Sequence, residues 1–128
     1  MDNKITAIVT GGGAPGSAGT IFALRNNPDN AQFRIITTDI NDGVVGKYLA
    51  DGFYKLPPPE NGNYIPSLQS LVRRENARAI IPQTTREIEV LSANIEKNRK
   101  ILETKQTEFV DLQKVLVEKQ KVVKEYLN

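Results

Sequence analysis

Thr10-Gly-Gly-Gly-Ala-Pro-Gly-Ser-Ala-Gly-Thr20 follows the apolar run Ile5-Thr-Ala-Ile-Val9 and leads into Ile21-Phe-Ala-Leu24. An apolar run, a glycine turn and a helical segment within about twenty residues read as strand, turn and helix. Gly11, Gly13 and Gly16 fit the spacing G-x-G-x-x-G, and Asp39 ends the next apolar run. That spacing fits the turn of a dinucleotide-binding βαβ unit. There the helix N-terminus receives an anion and the acidic residue holds a ribose hydroxyl. Ser17 and Thr20 stand where they can cap the helix or donate to such an anion. Pro15 removes one N–H from the same turn.

Outward from this turn the pattern repeats. Ser17 to about Asn26 reads as a helix ended by Pro28, and Phe33-Arg-Ile-Ile-Thr-Thr38 as a β-branched strand. Val44 to Ala50 is a short helix, Phe53-Tyr-Lys-Leu56 a strand, and Pro57-Pro-Pro59 an extended connector. Tyr64 to about Glu75 is a helix with Ile65, Leu68, Leu71 and Val72 on one face. Ala79-Ile-Ile-Pro82 is the fourth strand. Short apolar strands alternating with helices predict an α/β fold with a small, doubly wound parallel sheet and right-handed crossovers.

The rest of the chain has another character. All nine glycines and all seven prolines lie at or before Pro82. From about Thr85 the spacing is helical: Ile88, Ile95, Leu102, Phe109, Leu116 and Val123 recur every seven residues. The companion seam Leu91, Asn98, Lys105, Leu112, Lys119 and Tyr126 is half apolar. A continuous helix here would run about 60 Å, whereas a domain of roughly 85 residues is about 25 Å across. The helix therefore pairs with another copy, folds back near Glu103 to Thr107, or docks on a partner. Asn98 in an inner seam position is a device for setting register in paired helices.

Composition narrows the chemistry. The 128 residues carry a net charge of +2 and no histidine or cysteine. Disulfides, thiolate nucleophiles and Cys/His metal sets are excluded, and the commonest general base is missing. The charge balance is too even to point to nucleic acid or an anionic membrane. No run is long enough to span a bilayer and no signal-peptide core is evident, so the expectation is a soluble, cytoplasmic protein. The acidic residues Asp39, Asp42 and Asp51 follow strand two, where turn formation and solvation explain them. No metal site and no catalytic set is expected.

Five stretches taken together resemble the N-terminal, pre-ATP-grasp domain of ATP-grasp ligases, in the manner of the carbamoyl-phosphate synthase large subunit. They are Val9-Thr-Gly-Gly-Gly-Ala-Pro-Gly, Thr38-Asp-Ile-Asn41, Ala50-Asp51, Leu56-Pro-Pro-Pro59 and Pro82-Gln-Thr-Thr-Arg-Glu-Ile-Glu-Val-Leu-Ser-Ala-Asn94. The resemblance covers about residues 4 to 96. It implies a Rossmann-like domain over residues 1–95, then a helical extension over residues 96–128. It also implies a ligand cleft at the carboxyl ends of the strands, built from Gly11, Gly12, Gly13, Gly16, Ser17, Asp39, Thr85, Arg86 and Glu87. Arg86 would pair with a substrate carboxylate, and Glu87 would orient Arg86 or cap its helix. In that family ATP and magnesium bind a separate fold, and this sequence runs instead into the heptad helix. The expectations are therefore no cofactor in this chain and no activity alone, as in a truncated or split ligase. The partner is a second copy through Ile88, Leu91, Ile95, Leu102, Phe109, Leu112, Leu116 and Val123, or an ATP-grasp domain or subunit. The competing expectation is a small NAD(P)-type dinucleotide-binding protein, resting on the glycine spacing and Asp39.

Overall fold

A computed structural model describes residues 3–128. The elements are β1 (Ile5–Val9), α1 (Ser17–Arg25), β2 (Phe33–Asp39), α2 (Val45–Leu49), β3 (Gly52–Lys55), α3 (Tyr64–Glu75), β4 (Ala79–Ile81) and α4 (Thr85–Leu127). The four strands form one sheet in the order β3-β2-β1-β4. Every pairing is parallel, with Ile8 opposite both Ile36 and Ile80, and Thr37 opposite Phe53. The fold is thus α/β with an all-parallel sheet followed by a long C-terminal helix.

A parallel sheet is covered on both faces, so neighbouring residues on its central strands are both apolar. The alternation of side chains then sorts them. Ile8 and Ile36 point into one cluster with Leu56, Tyr64, Leu68 and Leu71, against which Ile80, Val90 and Leu91 also pack. Val9 and Ile35 point the other way and meet Ile21. Leu91, expected in the exposed seam, is therefore part of the domain's own packing.

Helix α3 ends at Asn76, which adopts a left-handed conformation (φ 50°). Ala77 N–H then donates to the Val72 carbonyl at 2.9 Å, closing the last turn. At the same end, Glu75 accepts from Arg34 of β2 and from the Tyr54 hydroxyl of β3.

The chain divides into two units, residues 1–91 and 92–128. Helix α4 has 43 residues without a break. The fold-back near Glu103 to Thr107 is thus corrected. Thr104 and Thr107 hydroxyls donate to the carbonyls of Lys100 and Glu103, four residues back, within an unbroken helix. Arg99 pairs with Glu96 and Glu103, and Lys100 lies 3.9 Å from Glu96. These pairs are exposed to solvent and screened by it, so they add little to the helix. From Ile95 onward every residue is exposed. Among the described residues no helix is long and apolar enough to cross a membrane.

Candidate functional site

All four strands deliver their carboxyl ends to one crevice, where open parallel sheets bind ligands. The glycine turn follows β1, Asp39 closes β2, Leu56 and Pro57 follow β3, and Thr84 follows β4. Together with Tyr64, Arg86 and Glu87 they line a cleft of about 280 Å³.

The glycine turn is held tightly. Gly11 has φ +63°, and a Cβ there would lie 2.8 Å from Glu87 Oε1. A Cβ on Gly46 would lie 2.6 Å from the Gly12 carbonyl oxygen, so α2 and the turn meet backbone to backbone. Gly46 N–H donates to that carbonyl at 3.0 Å. The Ser17 hydroxyl donates to it as well, at 2.8 Å.

Four of the turn's own donors are also engaged. Gly12 N–H donates to the Thr38 carbonyl, Ala14 N–H to Gly11 and Ser17 N–H to Ala14. Gly13 N–H donates to Asp39 Oδ2 at 2.9 Å. Pro15 has no N–H to offer. Asp39 Oδ1 accepts from Asn41 N–H at 2.9 Å, so each oxygen of that carboxylate takes a backbone donor.

Neither hydroxyl expected to cap α1 does so. Its N-cap is Gly16, with no side-chain bond. Ser17 is fully buried on Gly12, and Thr20 donates to Gln83 Oε1 at 3.1 Å.

Glu87 is the buried charge of the site. It sits in the first turn of α4, only 6% exposed. Its Oε2 accepts from the Tyr64 hydroxyl at 2.7 Å, and its Oε1 accepts from the Thr84 hydroxyl at 2.9 Å. Thr84 Oγ1 in turn accepts Glu87 N–H at 3.2 Å, which caps the helix. Glu87 therefore neither orients Arg86 nor caps the helix with its own carboxylate; Thr84 is the cap. Burial, and then the hydrogen bond and charge of Glu87, push the Tyr64 phenol well above its ordinary range. The Thr10 hydroxyl is buried close to the same phenol without a hydrogen bond of proper geometry.

Arg86 stands at the rim, exposed, and pairs with Glu60 from the loop after the triple proline. The Arg86 hydrogen bond holds the Glu60 carboxyl below its ordinary range, and Glu60 raises the guanidinium in return. Asp51 lies elsewhere, accepting Ile35 N–H at 2.8 Å and pairing with Arg25 at 3.2 Å. Burial pushes its carboxyl up, but the Ile35 and Arg25 contacts outweigh this and leave it lowered.

Gly11, Gly13, Asp39, Arg86 and Glu87 thus share the cleft wall, while Gly12, Gly16, Ser17 and Thr85 lie outside it. Thr84 belongs to the Pro82-to-Glu87 loop that the resemblance places in the cleft, and its T-x-x-E spacing with Glu87 is that of a capping box. Tyr64 and Glu60 are not anticipated as site residues. Among the described residues no group of three metal-ligating side chains could hold an ion. Pro15 and the bonded N–H groups of Gly12, Gly13, Ala14 and Ser17 leave this turn fewer donors for a nucleotide's phosphates than its glycine spacing suggests.

The family model described as PylC-like, N-terminal domain, matches residues 8–107. No curated protein matches the chain.

Proposed function

The chain belongs to the PylC-like N-terminal domain family, a pre-ATP-grasp domain of ATP-grasp ligases, and on that footing we propose how its cleft is used. The cleft forms the substrate-side wall of a carboxylate–amine ligase of the carbamoyl-phosphate synthase type. It contributes binding surface and no ATP chemistry of its own. Arg86, released from Glu60, grips an acceptor carboxylate at the rim with its two-pronged guanidinium. Glu87, fixed by Tyr64 and Thr84, keeps the floor polar and rigid.

One observation carries this reading. The N–H groups of Gly12, Gly13, Ala14 and Ser17 are spent on acceptors within the domain, and Asp39 is one of those acceptors. A dinucleotide would need those donors for its pyrophosphate and that carboxylate for its ribose. The alternative, an NAD(P)-type protein, keeps the spacing in its favour and loses those four donors. The fingerprint here serves as a structural brace between β1, β2 and α2.

Titration calorimetry with magnesium-ATP should show no tight binding, and phosphate release from ATP by the pure chain should not exceed the buffer rate. Robust turnover by this chain alone would overturn the proposal.

A further inference from the structure

Helix α4 leaves a long apolar seam in solvent, with Leu102 57% exposed, Phe109 61% and Leu116 57%. The helix is unbroken, so it does not cover this seam by folding back. We propose that residues 95–119 pair with the same stretch of a second copy of this chain, and that the two helices run antiparallel. The proposal is independent of what the cleft binds.

The charges inside the seam choose the orientation. Lys105 and Lys119 occupy inner positions between apolar residues. In a parallel, in-register pair each lysine faces its own copy, which places like charges together twice in a partly dehydrated seam. Reversing one helix removes both clashes. With Ile95 opposite the partner's Lys119, Leu102 falls opposite the partner's Leu112. Lys105 then falls opposite the partner's Phe109. There its alkyl stem covers the ring, and its ammonium lies within reach of the partner's Glu108.

The flanks agree. Ile101 and Val115 lie on one side of the seam. The reversed register brings Ile101 beside the partner's Val115, whereas a parallel pair sets them against Gln106 and Gln120. Asn98 falls opposite the partner's Leu116. Its amide does not need a second asparagine across the seam, because Asn98 Nδ2 already donates to Asn94 Oδ1 at 3.2 Å. A stripe that complements itself when reversed is what a twofold axis demands, which favours a second copy over an unrelated partner.

The full chain has no cysteine, so introduced thiols report without background. Sedimentation equilibrium of the unaltered chain should give twice its 14.2 kDa mass. Leu102→Asp should raise the dissociation constant at least a hundredfold. Under mild oxidation, Leu116→Cys alone should not cross-link. In the reversed register its two copies stand about 18 residues apart along the seam, roughly 27 Å. A mixture of Asn98→Cys and Leu116→Cys chains should cross-link at least tenfold faster than Leu116→Cys alone. A monomer at every concentration would overturn the proposal and assign the seam to a different partner. Rapid homodisulfide formation by Leu116→Cys would overturn it in favour of parallel helices. A dimer that Leu102→Asp leaves intact would place the interface elsewhere.

Discussion

Gly11 carries two constraints at once. Its positive φ disfavours any side chain, and the first atom of one would strike the Glu87 carboxylate. Gly11→Ala combines left-handed strain of about 1–2 kcal/mol with displacement of a buried, hydrogen-bonded carboxylate. Chemical denaturation should show a loss of about 2–4 kcal/mol. A loss under 0.5 kcal/mol would mean that the turn relaxes freely. Thr10 presents the opposite case. Its buried hydroxyl finds no proper partner, so Thr10→Val removes a desolvated group while keeping the shape. The variant should be as stable as the parent or more so, by up to about 1 kcal/mol. A clear destabilisation would show that the hydroxyl supports the Tyr64 phenol after all. The glycine spacing was legible in the sequence, but the commitment of its N–H groups was not. That commitment depends on where the Thr38 carbonyl and the Asp39 carboxylate arrive from β2, more than twenty residues on.

Glu75 ties three elements together, binding Tyr54 of β3 and Arg34 of β2 from the end of α3. The Tyr54 hydrogen bond, and then Arg34, hold its carboxyl below the ordinary value of 4.5. A depressed folded-state value means that the stabilisation is present above that ordinary value. It is lost as pH falls through the lower, folded-state one. Glu75→Gln should therefore cost on the order of 1 kcal/mol at pH 7, since the pair is only partly shielded from water. The gap to the parent protein should narrow as pH falls below 4.5 and through the lower, folded-state value. Urea denaturation at pH 7, 5 and 3.5 reads this directly, and a gap that stays constant would contradict the assignment. Strands, helices and their order were readable from apolar spacing and from Pro28, Pro57-Pro-Pro59 and Pro82. Tyr64 was not readable as the floor of the cleft. An aromatic residue opening an amphipathic helix looks the same whether its hydroxyl meets a buried acid or solvent.

Taken whole, the molecule joins a small α/β unit to a helix of 43 residues. Seven-residue spacing announced that helix, and the absence of glycine and proline after Pro82 allowed it to run unbroken. Spacing could not separate Leu91, which packs within the first unit, from Leu102 and Phe109, which are exposed. Only the placement of Val90 and Leu91 against the core cluster around Ile8, Ile36 and Tyr64 makes that distinction. The most direct test of the cleft's role is a two-dimensional ¹⁵N NMR titration of the full chain with NADH and with small carboxylic acids. Millimolar NADH should leave the amides of Gly12, Gly13 and Ala14 in place, while carboxylates shift the Arg86 Nε–H signal. Saturable NADH-induced shifts at those three amides, with Arg86 unmoved by carboxylates, would contradict the account and restore the dinucleotide site.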